Sequence, residues 1–175
     1  MEQRATYSGR RDRRLVTLRR GGTLDDGDHR LLVGWAADCA EHVFHLFTDH
    51  HPDDDRLRRA IDQARGWSRR ETAMTRAREA AYAAHQAARE TSGVAREAAR
   101  AAGHAVATAH MADHELGASA YAIRAVRHGL SDNARESAGH RECRWQRDQL
   151  PDAIRNLVLS DQEVRNHKFW SLFGC

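Results

Sequence analysis

Lysine is almost missing from this chain: among 28 basic side chains in 175 residues, Lys168 is the single lysine and the rest are arginine. That bias fits GC-rich codon usage better than a functional role. Proline occurs twice and aromatic residues make up 6%, which excludes the turn-rich, aromatic-rich composition of an all-β sandwich. No apolar run approaches the roughly 18 residues of a membrane-spanning helix, so no membrane association is expected. The opening Met1-Glu2-Gln3-Arg4 leads into arginines and not into an apolar stretch, so no secretory signal is expected either. Cys39, Cys143 and Cys175 are odd in number and far apart, with no C-x-x-C pair to indicate zinc or a redox couple. A reducing cytoplasm is the expected location. Glycine-rich phosphate loops, G-x-S-x-G and RNP-type aromatic motifs are also missing, so nucleotide hydrolysis and triad chemistry have no support.

What remains is the composition of a helical domain. The length suits one core, and alanine, arginine and glutamate dominate the middle of the chain with apolar positions recurring at three and four. The expected fold is all-α: a single-domain helical bundle of about six to seven helices joined along alanine-rich seams. After Gly21-Gly22, Asp28 can cap a helix from about His29 to Thr48, on which Leu32, Trp35, Cys39, Val43 and Leu46 form one stripe. Asp53 can cap a second to about Trp67, with Asp54 and Asp55 in its first turn and Leu57 and Ile61 facing inward. Further helices are expected from about Thr75 to Glu90, Val94 to Met111, Asp113 to Leu130 and Ala134 to Gln149, with a short one from Pro151 to Leu159. Phe169, Trp170, Leu172 and Phe173 are too apolar to stay in water and should dock on the bundle. The expected division is therefore a basic N-terminal arm over 1–24, a helical domain over 25–160 and a packed aromatic tail over 161–175.

The arm carries Arg4, Arg10, Arg11, Arg13, Arg14, Arg19 and Arg20, against a formal net charge of only +3 for the whole chain. Its ordinary reading is a solvated, frayed terminus that folding can do without. Nucleic-acid binding through it ranks last among the functions considered.

Twelve histidines are the compositional oddity. His110 and His114 stand at i, i+4, and His104 lies a turn and a half earlier. Asp38, His42 and His45 stand at i, i+4, i+7. Helix-borne imidazoles at such spacing can present a divalent metal, with His110 and His114 the candidate ligands. However, H-x-x-x-H without an internal glutamate lacks the general base of zinc proteases, and the Glu-x-x-His pairs of di-iron bundles do not occur. The ordinary reading of each histidine is a core or helix-end hydrogen bond. Asp38, Glu41 and His42 beside the first core stripe could form a carboxylate–imidazole pair with shifted pKa values. Candidate ligand-binding or acid/base residues are accordingly Trp35, Asp38, Glu41, His42, His45, His85, His104 and Tyr121. Cys39 has no neighbouring base and reads as a buried thiol.

Several segments together resemble a known family. They are Trp35-Ala-Ala-Asp-Cys-Ala-Glu-His42, His51-Pro-Asp-Asp-Asp55 with Arg58-Arg-Ala-Ile61, and Ala77-Arg-Glu-Ala-Ala-Tyr-Ala-Ala-His85. Ala102-Gly-His104 through Ala109-His-Met-Ala-Asp-His114 to Tyr121, and Trp145-Gln-Arg-Asp-Gln-Leu-Pro151, complete the set. Over about residues 28–159 the chain resembles the actinobacterial immunity protein family, a group similar to the fifth class of polymorphic-toxin immunity domains. The resemblance implies one all-α domain that binds a toxin protein, and it supplies no catalytic residues. Three readings follow. An immunity-type protein that neutralises a toxin should expose a patch of mixed charge and aromatics. A small-molecule binder or metal-assisted resistance enzyme, using histidine acid/base chemistry, should enclose a histidine-lined pocket. A nucleic-acid binder should use the arm. The first leads, so enzyme activity is not the expectation, and the partner is a toxin or a small-molecule ligand; a homodimer is compatible with each.

Overall fold

The computed structural model describes residues 11–175. Arg4 and Arg10 of the arm lie outside the described residues. The chain forms eight α-helices among the described residues: α1 Asp26–His42, α2 His45–Thr48, α3 Arg56–Ser68, α4 Met74–Glu90, α5 Gly93–Ala107, α6 Glu115–Arg127, α7 Asp132–Asp148 and α8 Asp152–Arg165. Short 3₁₀ turns occupy Arg13–Leu15, Leu18–Arg20, Ala112–His114 and Asn166–Phe169. The fold is all-α, with one helix more than the sequence pattern indicates. None of these helices is long and apolar enough to cross a membrane.

The extra helix comes from a break. The single helix expected to Thr48 ends at His42, where Val43 leaves helical geometry at φ −106°, ψ 7°. One turn, α2, restarts at His45 and seats Phe47 in the core. The start differs too: Asp25, not Asp28, caps α1, its carboxylate accepting the Asp28 amide at 2.8 Å. Asp26 and Asp28 then occupy the first turn, where the macrodipole favours them.

α5 is the central helix, flanked by α4 and α6 and touching α1, α2 and α3 as well. Its seam with α4 is built from alanine: Ala81, Ala84 and Ala88 on one side, Ala98, Ala102 and Ala105 on the other, all buried. Side chains this small let the helix backbones approach closely. Larger residues collect in a second cluster, where Leu32, Trp35, Leu116, Ile123, Ile154 and Val158 meet between α1, α6 and α8.

Residues 11–24 belong to this second cluster. Leu15 and Leu24 are buried in it, Leu18 donates its amide to the Leu24 carbonyl, and Arg11 pairs with Asp113 at 3.0 Å. The described part of the arm is thus packed, not frayed, because Leu15 and Leu24 are buried against the bundle, while Leu18 stays exposed. Leu172 and Phe173 of the tail are buried in the same cluster as expected, while Trp170 stays about half exposed. Cys143 of α7 and Cys175 form a disulfide across 32 positions, a pairing that the spacing of three cysteines does not reveal. Cys39 is a buried free thiol, its pKa pushed up by burial.

Candidate interaction face and histidine cluster

The residues singled out from sequence separate into two groups. The first surrounds the C-terminal end of α1. Asp38, Glu41 and His42 follow one another round the last turn and meet two arginines from α3. Arg65 bridges Asp38 at 2.9 Å and Glu41, and Arg58 reaches Glu41 at 2.9 Å while lying 4.2 Å over the Phe44 ring. Burial raises the Glu41 carboxyl, but the two guanidiniums outweigh it and hold that pKa below the ordinary carboxylate value.

His42 points the other way, onto α7. Its ring stacks on Trp145 with centroids 3.6 Å apart and planes 10° from parallel, and Nδ1 lies 2.8 Å from Glu142 Oε2. Glu142 is itself buried, and its other oxygen accepts from the Gln146 amide at 2.9 Å. Gln146 in turn accepts from Ser119 and, through its carbonyl, from the Trp35 indole at 2.8 Å. Trp35 is therefore a core residue that anchors this network, not a cleft wall. An open cleft of about 420 Å³ is lined by Asp38, Glu41, His42, Arg65, Trp145 and Gln149. His45 does not join them. The break after His42 removes it from the register of α1, and it is exposed on α2.

The second group is internal. His85 of α4, His104 of α5, and His110 and His114 from the α5–α6 connection lie in one chain of rings, with Tyr121 of α6 stacked on His104 at 5.3 Å. His104 Nδ1 and His114 Nδ1 are 3.3 Å apart. Glycines make the room: a Cβ at Gly103 would stand 2.6 Å from His85, and one at Gly117 2.5 Å from His104. The imidazoles thus lie directly against the backbones of α5 and α6. Burial drives their pKa values down, to about 3 for His104 and about 4 for His85, with His110 and His114 also lowered. Among the described residues, no three His, Cys, Asp or Glu side chains are placed to hold a metal together.

Two features escape the sequence pattern. Glu142, Arg58 and Arg65 complete the α1 face from elsewhere in the chain. Glu115 and Asp161, both buried, share Arg165, whose guanidinium lies 3.1 Å from Glu115. Burial, reinforced by Asp161, raises the Glu115 carboxyl well above its ordinary pKa. Only the i, i+4 spacing of Asp161 and Arg165 offered a local signal.

A family model described as Imm-5 like putative immunity protein matches residues 22–153. The chain belongs to that family. No curated protein and no solved structure matches it. All ten candidate residues fall inside the span shared with the immunity family, whereas Trp170 and the disulfide partner Cys175 fall outside it.

Proposed function

We propose that this chain binds a toxin protein and neutralises it through the face formed by the end of α1 with α3 and α7. The observation that carries the reading is the exposed, mixed-charge and aromatic lattice around the His42–Trp145 stack, within a chain of the immunity family. Asp38, Glu41, His42 and Arg58 keep about 40% of their side-chain surface accessible while already fixed by ion pairs or stacking. A partner docking there needs to immobilise few free rotamers, and tryptophan and arginine are the residue types that dominate binding energies.

The test is co-expression with the toxin encoded beside its gene, scored by growth rescue and calorimetric affinity. Trp145→Ala and Arg65→Ala should each weaken binding by at least about 2 kcal/mol, roughly 30-fold, while the helical spectrum stays unchanged. Wild-type affinity in both variants would overturn the assignment of the face. Failure to rescue growth would overturn the toxin reading.

A further inference from the structure

Near the N-terminal end of α7, away from the stack of His42 on Trp145 near its C-terminal end, a second cleft lies between α5, α6, α7 and the tail. Its volume is about 510 Å³, and Arg124, Arg127, His128, Arg135, Glu97 and Trp170 line it. Three arginines face one carboxylate there, and that carboxylate is taken. Glu97 is buried and its oxygens lie 3.0 Å from Arg124 and 3.5 Å from Arg96. Arg135 donates to the Leu130 carbonyl, and its nearest acid is the fully exposed Asp132 at 3.7 Å. The Arg127 side chain makes no hydrogen bond or ion pair with any described residue.

Arg127 is nevertheless held in place. It is half-buried, and its stem crosses Gly139 of α7 so closely that a Cβ there would stand 2.9 Å from Arg127 Cδ. A guanidinium has five N–H donors and no acceptor capacity, so the Arg127 head offers the cleft donors that no described residue takes up. The rim is built at a backbone cost. Trp170 and Ser171 both adopt left-handed φ, 57° and 55°, which L side chains rarely take. That bend lays the indole 4.2 Å from the Arg124 guanidinium and edge-on to Tyr121 at 5.5 Å, with about half of Trp170 still accessible.

We propose that this cleft binds an oxyanion, a phosphate or carboxylate group, at Arg127 and Arg135, with the apolar part of the ligand against Trp170. Planar guanidinium forks recognise both groups through paired N–H donors, and the volume is that of a small-molecule site. The proposal does not rest on the toxin reading.

Calorimetric titration of the full chain at low ionic strength tests it, with pyrophosphate in one arm and a hexaglutamate peptide in the other. Saturable one-to-one binding of at least one probe is expected. Arg127→Gln should weaken it at least tenfold, and so should Gly139→Ala, which displaces the arginine stem without removing charge. Arg127→Lys, which keeps the charge and loses the fork, should also bind more weakly and serves if the glutamine variant does not fold. Arg76→Gln, in a different cleft on α4, should bind like wild type. Preference for pyrophosphate assigns a phosphate ligand, and preference for the peptide assigns an acidic segment. Absence of saturable binding to both probes, or equal affinity in all the Arg127 and Gly139 variants, would overturn the proposal.

Discussion

Arg165 holds two buried carboxylates apart from the solvent and together with each other. Removing it strands Glu115 and Asp161, so Arg165→Ala should cost about 3–5 kcal/mol in denaturant unfolding at neutral pH. Replacing the group as a whole, with Glu115→Gln, Asp161→Asn and Arg165→Met combined, should recover most of that loss. If the single and triple variants are equally unstable, the charge balance is not what the arginine supplies. The histidine chain gives a second test at this scale. Its folded pKa values, about 3 for His104 and about 4 for His85, lie below the ordinary 6.5, so the unfolded chain binds more protons between those limits. Stability is therefore full above about pH 6.5 and declines as pH falls toward 3, by up to ~1.4 kcal/mol per pH unit for each such imidazole. His104→Gln should flatten the slope of unfolding free energy against pH between 6 and 4; an unchanged slope would show that His104 is not kept neutral by burial.

Among the elements, the segment before α1 departs most from what its composition indicates. Seven arginines within twenty residues read as a solvated arm, yet Leu15 is 2% exposed and Arg14 reaches Ser160 of α8. Burying one leucine stabilises by about 1.5–3 kcal/mol, so deleting residues 1–20 should lower the Tm by about 5–10 °C, measured by circular dichroism. A shift near zero would return the segment to the status of a dispensable arm. Other elements were legible because their signals are local. The acidic run placed the start of α3 to within a few residues: the helix begins at Arg56, beyond Asp54 and Asp55, and Asp54 in place of Asp53 accepts the Arg56 amide, while Leu57 and Ile61 are buried as their spacing requires. Pro151 closes the turn into α8, and the alanines place α4 and α5. The break at Val43 was not legible, since no proline or glycine marks it in the sequence. In the same way Asp38, Glu41 and His42 were readable as one helix face, but the arginines are 17 to 24 positions away and Glu142 is 100 away. Only the assembled bundle brings those partners together. The disulfide belongs to this class too, because proximity of α7 and the tail is a tertiary fact.

At the scale of the whole molecule, α1 and α6 contribute buried side chains both to the alanine seam's cluster and to the cluster of larger residues, so unfolding should be a single cooperative transition. The seam is intolerant in one direction. Ala102 is 1% exposed between neighbouring helices, and Ala102→Leu adds volume with no cavity to receive it, an overpacking expected to cost about 1–3 kcal/mol or more. A Tm within a degree of wild type would mean that α4 and α5 can separate freely. Alanine also lacks a side-chain torsion, and ordering it on folding forfeits almost no rotamer freedom. The seam between α4 and α5, composed of such residues, has few alternative packings to exchange among, so it has little means of relaxing around an intruding methyl group. That seam is a rigid keel: α4 and α5 are held at one spacing, and sequence change is tolerated on their outer faces sooner than along the line where they meet.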